Sequence, residues 1–307
     1  MTVLVTGGAG YIGSHTVVAL QDAGQQVVIF DDLSNSSERA VDAVRALVGS
    51  DVAFVRGDAA DTDMVSQTIV EYGVDAIVHF AAFKSVSESM ERPMDYFVNN
   101  MGSLFGVVKA MGLTGTRRLI FSSSCAVYGE PKDVPVTEAS ATTAASPYGW
   151  TKLHGEQFLE QMALAGELDV MILRYFNPVG AHPSGAIGED PRGMSSNLVP
   201  LLMQVALGHH DRLRVFGSDY NTPDGSPVRD YLHVLDLAEG HVAALAALSS
   251  GSGCTTLNIG TGRGYSVLQV VAAAEQVLQR RIPLELVDRR PGDVACIWAQ
   301  TDLAADV

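Results

Sequence analysis

Two residues able to move a proton, Tyr148 and Lys152, stand four apart in "SPYGWTK" (146–152). On a helix an i,i+4 pair shares a face, so a phenol and an ammonium would lie side by side. A free phenol titrates near 10, and a useful base at neutral pH needs it about three units lower, roughly 4 kcal/mol of differential stabilisation. An adjacent ammonium is one natural source. The same residues also read as a plain helix start, because Ser146 is a good N-cap and Pro147 a good first helical residue. Context decides between the two.

That context begins at "TGGAGYIG", where Gly7, Gly10 and Gly13 follow a short apolar run as G-x-x-G-x-x-G. Glycines there let the backbone turn tightly and approach a pyrophosphate, whose charge then sits at a helix N-terminus. Asp31 ends the next apolar run, where a carboxylate can bond the adenosine ribose hydroxyls and repel a 2′-phosphate. NAD is therefore favoured over NADP. Asp58 ends the third run and reads equally as a partner for the adenine amino group or as a helix-capping Asp. Asn35, in "DDLSNSS", reads as a loop residue rather than a direct ligand.

The elements that must position these groups are an alternating series. "TVLVTG" (2–7), "QVVIFD" (26–31), "VAFVRG" (52–57), "DAIVHF" (75–80), "RRLIFSS" (117–123) and "DVMILRY" (169–175) are near-continuous apolar runs, as parallel strands covered on both faces require. Helix-length segments lie between them, near 12–23, 37–48, 62–72, 93–112 and 147–165. This alternation predicts βαβ crossovers and an α/β, doubly wound parallel sheet. "FSSSCAVYG" (121–129) then brings Ser124 to the carboxyl edge, where such sheets bind ligands. After residue 176 the rhythm breaks. "NPVGAHPSGAIGEDPRG" reads as a long polar loop. Helices are expected near 195–207, 235–249 and 266–279, with short strands at 213–216 and 256–259, forming a smaller lobe.

Bulk properties narrow the partners. The 307 residues, 47% hydrophobic and 18% charged, suffice for one large α/β domain with a lobe grown from its loops. The formal net charge of −15 argues against nucleic acid and anionic lipid. Cys125, Cys254 and Cys296 are scattered without metal spacing, which predicts no metal site and a reducing cytosol. No stretch approaches the roughly 18 apolar residues of a membrane span, so a soluble cytoplasmic protein is expected. His79 reads as a core histidine, His209 and His210 as surface residues, and Cys125 as packing.

Together "TGGAGYIG", "FSSSCAVYG", "SPYGWTK" and "RYFNPVGAHPSG" resemble the extended short-chain dehydrogenase/reductase superfamily, most closely its UDP-glucose 4-epimerase family. "HFAAFKSVSES" (79–89), "NLVP" (197–200), "VRDYLHVLDLAEGH" (228–241) and "RRPGD" (289–293) extend the likeness over nearly the whole chain. The resemblance implies an NAD-binding Rossmann domain over residues 1–176. Residues 177–307 would form mainly a UDP-sugar lobe with some returns to the core. Tyr148 would be the base, Lys152 would lower its pKa and bond the nicotinamide ribose, and Ser124 would hold the reacting sugar oxygen. Tyr11 and Ile12 would lie with the glycines on the cofactor, and Tyr175 and Lys84 near it. Phe80 and Ala81 would form the strand-end wall, and Asn99 would line the site. Asn177, Asn197 and Leu198 would hold the UDP-sugar. Arg229, Arg290 and Asp293 would meet its diphosphate and uridine ribose, guanidinium forks being suited to phosphate oxygens on an acidic chain.

The implied reaction moves a hydride from sugar C4 to bound NAD and returns it to the other face of a 4-keto sugar. Three rivals are weighed. A nucleotide-sugar 4,6-dehydratase would need Thr-Asp-Glu where this chain has Ser124, Cys125 and Ala126. A non-catalytic NAD-binding regulator would not need Ser124, Tyr148 and Lys152 together. A UDP-N-acetylglucosamine 4-epimerase stays open, because Ile297, intermediate in size, occupies the position that bounds the sugar 2-substituent in this family. The family likeness further implies a homodimer through the segments near 93–112 and 147–165, where Val107, Val108 and Met111 fit an interface and internal burial equally. Relatives usually continue past "TDLAADV", which would leave a flank of the lobe uncovered.

Overall fold

The computed structural model describes residues 1–190, 192, 197–250 and 253–307. The chain runs β1 (Thr2–Thr6), α1 (Tyr11–Asp22), β2 (Gln26–Asp31), α2 (Glu38–Val48), β3 (Ala53–Arg56), α3 (Thr62–Tyr72) and β4 (Ala76–His79). It continues through α4 (Val86–Glu91), α5 (Pro93–Thr114), β5 (Arg118–Ser124), α6 (Pro147–Leu164) and β6 (Asp169–Tyr175). The irregular part holds β7 (Asn177–Val179), α7 (Leu198–Ala206), β8 (Leu213–Phe216), β9 (Val228–His233), α8 (Val234–Ser250) and β10 (Cys254–Ile259). It closes with β11 (Gly264–Ser266), α9 (Val267–Leu278), β12 (Leu284–Val287), β13 (Cys296–Ile297) and α10 (Asp302–Ala305).

Seven parallel strands form one sheet in the order β10-β6-β5-β4-β1-β2-β3. The Val-, Ile- and Phe-rich runs are covered on both faces, as a doubly wound α/β sheet demands. One apolar layer holds Val17, Val41 and Leu245, from α1, α2 and α8. The other holds Ile69, Leu104, Met111 and Leu159, from α3, α5 and α6. Chain order reverses between β1 and β4, so their carboxyl ends open a crevice for a ligand. β10 returns from the irregular part to extend the main sheet beside β6.

The remaining strands form smaller sheets. β9 pairs with β7, β11 and β13, and β8 pairs with β12. This corrects the loop expected after residue 176, whose first residues instead pair with β9, Asn177 opposite Tyr231. The wholly buried Asp230 anchors β9: it accepts from Thr261 N and Oγ1, Gly262 N and Ala299 N, at 2.6–3.2 Å. Four donors offset the desolvation of that charge. Val107, Val108 and Met111 lie inside the α5 layer, at 0%, 6% and 0% exposure, so they serve internal packing. Asp58 is not the cap of α3. Asp61 is, accepting from Asp63 N and Met64 N.

Candidate active site

The positions expected from sequence to serve catalysis, cofactor and substrate all line one cleft of about 1420 Å³ at the carboxyl edge of the main sheet. At its floor Gly7, with φ +70°, donates its N–H to Phe30 O at 2.8 Å, and Gly10 N–H donates to Gly7 O at 3.1 Å. A Cβ on Gly7 would fall 2.8 Å from Ala81 N, so glycine lets the loop press against the Phe80–Ala81 wall. Gly10 precedes α1 without a side-chain cap, and the turn carrying Tyr11, Ile12 and Gly13 faces the cleft. An uncapped first turn is the arrangement that receives phosphate. Asp31, 8% exposed, accepts from Ala9 N at 3.0 Å, Leu33 N at 2.9 Å and Ser36 Oγ at 2.8 Å. Burial raises its carboxyl pKa, and these three bonds oppose that rise.

The proton-moving pair sits where its helix start puts it. Ser146 caps α6 through its Oγ, which accepts from Gly149 N at 3.1 Å, and Pro147 is the first helical residue. A Cβ on Gly149 would meet Ala126 O at 2.7 Å, so α6 packs directly on the turn after β5. Ser124, at the end of β5, lies close enough to the Tyr148 phenol to act on its pKa, and its Oγ accepts from Ala126 N at 3.2 Å. Lys152, 4% exposed, donates to Ser122 O at 2.7 Å and lies 5.0 Å from the Phe121 ring centroid.

The electrostatics differ from the sequence expectation. Burial pushes the Tyr148 phenol up to about 12; Ser124 acts downward and Cys125 upward. Lys152 is not among the influences that lower it, because its own ammonium is drawn down to about 7 by burial, against the upward pull of Glu156. Burial likewise takes the Cys125 thiol to about 12, which suits packing and not a thiolate nucleophile. Beneath the site, His79 pairs its Nδ1 with Thr6 Oγ1 at 2.8 Å. Burial holds its pKa at about 3, so it is a neutral core histidine.

The outer cleft is partly self-paired. Lys84 Nζ meets Glu189 Oε1 at 2.7 Å, and the same oxygen accepts from Asn197 Nδ2 at 2.5 Å. Asn35, a candidate cofactor-binding position, accepts from Arg192 N through its Oδ1 at 3.1 Å. Asn99 donates to Asn100, which is buried and holds Phe83 N and O and Thr151. Asn177 Oδ1 is buried without a partner and belongs to the cleft lining. Arg229 Nη2 lies 3.2 Å from Asp293 Oδ1, and the Arg290 guanidinium stacks 3.6 Å from the Phe216 ring centroid. Leu198 opens α7, and Ile297, 2% exposed, closes the wall from β13.

Glu189 and Phe216 were missed from sequence. Glu189 sits in a turn-rich stretch whose partner Lys84 is 105 residues away, and Phe216 ends a short strand with no motif around it. Among the described residues no cluster could hold a metal, and no helix is long and apolar enough to cross a membrane.

Residues 3–260 match the model of the NAD dependent epimerase/dehydratase family. A UDP-glucose 4-epimerase of Bacillus subtilis is 48% identical over 300 residues, 97% of this chain and 88% of that protein. A UDP-glucose-4-epimerase structure from Stenotrophomonas maltophila, with bound NAD and formylated UDP-arabinopyranose, superposes with a TM-score of 0.97 at 46% identity, covering 100% of this chain and 91% of that one. The Bifidobacterium longum UDP-glucose 4-epimerase, in complex with NAD+ and UDP, also gives 0.97, at 43% identity, covering 100% and 92%. A glycine loop, an acid ending β2 and a Ser–Tyr–Lys constellation thus share one cleft on a chain that belongs to the NAD dependent epimerase/dehydratase family, alongside its UDP-glucose 4-epimerases.

Proposed function

We propose that this protein interconverts UDP-glucose and UDP-galactose by NAD-dependent epimerisation at sugar C4. The observation that carries the reading is the convergence of Ser124, Tyr148 and Lys152 on the cleft floored by the glycine loop. The residues fit a dinucleotide. Gly7 leaves no room for a side chain against Ala81, Asp31 offers a carboxylate at the end of β2, and the unpartnered Asn177 Oδ1 awaits a donor in the same cleft. Bound NAD supplies the hydride acceptor and donor.

Tyr148 takes the 4′-hydroxyl proton and later returns it, so the protein ends each turnover unchanged. Ser124, beside the phenol, holds the reacting oxygen within reach. A positive charge beside Tyr148 is needed to draw it down from about 12; the nicotinamide ring supplies one when NAD is bound, and Lys152 adds a second only while it is held as an ammonium. Asn177, Asn197 and Leu198, with Arg229, Arg290 and Asp293, hold the UDP-sugar, the two guanidinium groups facing the diphosphate. On this reading residues 1–176 serve NAD and 177–307 mainly the UDP-sugar, β10 being the return to the core. Purified protein is expected to interconvert UDP-glucose and UDP-galactose without added NADH, in a coupled assay run on both UDP-hexoses and UDP-N-acetylhexosamines. Faster turnover of the acetylated pair would reassign the substrate, and no turnover of either would sink the reading.

The same proposal includes a homodimer. Met94, Val98 and Phe105 on α5 are 72%, 67% and 47% exposed, and Trp150 on α6 is 41% exposed. Phe105 and Phe158 meet edge-on at 4.9 Å, joining the faces of the two helices into an apolar surface. Light scattering is expected to give a dimer mass for the wild type and a monomer mass for Val98→Glu/Phe105→Glu. A monomeric wild type at working concentration would remove the dimer.

A further inference from the structure

Behind the proposed site lies a buried ion pair that the reaction does not use. Glu156, 1% exposed, is met by Arg174 through two bonds, Nη2 to Oε2 at 2.6 Å and Nε to Oε1 at 2.9 Å. Ser123 Oγ donates to Glu156 Oε1 as well. Arg174 Nη1 reaches on to Tyr128 OH at 2.9 Å and Glu138 O at 3.1 Å.

The placement follows from the elements. In the β5–β6 register Ser123 lies opposite Arg174, and both side chains end on one carboxylate of α6. Tyr148, Lys152 and Glu156 are i, i+4 and i+8 on α6, a single helical face. Each meets the end of β5: Tyr148 lies beside Ser124, Lys152 bonds the Ser122 carbonyl, and Glu156 accepts from Ser123. Between the last two contacts Gly155 lets the helix touch the sheet, since a Cβ there would lie 2.8 Å from the Phe121 ring. A strand of three consecutive serines thus grips three successive turns of one helix.

We propose that Glu156 is a positioning residue for the epimerase reaction, clamped by Arg174 and Ser123 so that it fixes α6 on β5 and supplies the negative charge that keeps Lys152 an ammonium. This rests on the reading above that Lys152 serves catalysis.

The surroundings of Lys152 leave Glu156 that task. From β4 comes His79, neutral because burial holds it near 3, and from β5 the Ser122 carbonyl and Phe121 ring. β6 contributes Tyr175, whose phenol burial raises, and Arg174, whose guanidinium is turned to Glu156. His241 of α8 meets Tyr175 and is held near 4 by burial, so it too is neutral. Tyr148 stays protonated near 12, and the Cys254 thiol of β10 near 11. Among the described residues Glu156 is the one charge that acts on the lysine, and it acts upward. The sign follows: the ammonium is present below its folded pKa of about 7 and is lost as the pH rises through it. Removing the carboxylate moves that loss to lower pH.

The test is a side-chain NMR titration of protein carrying labelled lysine, with Lys152→Met assigning the signal, beside the pH profile of kcat. In Glu156→Gln the Lys152 midpoint and the alkaline limb of kcat are both expected to fall by at least about one pH unit, the lower end of what a nearby opposite charge contributes. Glu156→Gln/Arg174→Gln, which removes both members of the ion pair so that Arg174 is not left buried without its carboxylate, is expected to shift the same way and carries the test should the single variant not fold. Glu156→Asp keeps the charge and is expected to stay within about half a unit of wild type. An unmoved midpoint in a folded Gln variant, or an equal fall in Glu156→Asp, would overturn the proposal. A midpoint that moves while the kcat limb stays would uphold the coupling and remove Lys152 from catalysis.

Discussion

Tyr148→Phe is expected to lower kcat by about 10³-fold, within the range for losing a positioned acid–base group, while leaving UDP affinity near wild type. The substitution deletes one oxygen and keeps the ring. Tyr148 follows the Ser146–Pro147 start of α6, and Gly149 fixes how closely that start packs on Ala126, so nothing around the ring need move. What is lost is the phenol oxygen beside Ser124, the atom proposed to exchange a proton with the 4′-hydroxyl. The phenol starts near 12, about five units above neutrality, on the order of 7 kcal/mol that neighbouring cations must offset during the reaction. Phenylalanine has no proton to be tuned. On the proposed assignment the UDP groups would lie toward Arg229, Arg290 and Phe216, residues of the same cleft well separated in the chain from Tyr148, so binding and chemistry should separate cleanly. A coupled assay measures kcat, and calorimetry with UDP measures binding. Turnover near wild type in this variant would remove Tyr148 as the base.

How far the site could be read from sequence depends on what kind of residue announces it. β1 through β6 were legible because parallel strands buried on both faces are near-continuous apolar runs. The Ser146 cap and Asp31 were legible because their chemistry is local. β9 escaped because "VRDYLH" buries Val228, Asp230 and Leu232 on one face. An inward aspartate breaks the apolar alternation that marks a strand, and only its four distant donors make the burial tolerable. The Tyr148–Lys152 pair was visible as spacing, but its electrostatics were not. Depth of burial decides that the lysine is drawn down and the phenol up, and depth comes from Phe121, Ser122 and the neighbouring strands. Partners joined across the chain, such as Lys84 with Glu189 or Glu156 with Arg174, leave no spacing signal at all.

Gly13→Ala is expected to weaken NAD binding by at least about thirtyfold and to lower stability by about 2 kcal/mol. Loop geometry gives the reason. A Cβ at Gly13 would fall 2.2 Å from Gly7 O, 2.8 Å from Gly8 Cα and 3.0 Å from Gly7 C. All three are backbone atoms, so no side chain can swing away and the loop itself must shift by about an ångström or more. That loop is tied on both sides: Gly7 N–H donates to Phe30 O, and Ala9 N–H to Asp31 Oδ2. Moving it therefore disturbs the carboxylate expected to hold the adenosine ribose as well as the turn expected to hold the pyrophosphate. Gly112→Ala is the matched control, because a Cβ there meets nothing within 4 Å on the exposed side of α5. Alanine at that helical position should raise stability by up to about 1 kcal/mol and leave NAD binding alone. Thermal melts and NAD titration of the two variants separate a loss of helix stability from a loss of the phosphate turn. Wild-type NAD affinity in Gly13→Ala would show that the glycine loop does not carry the cofactor.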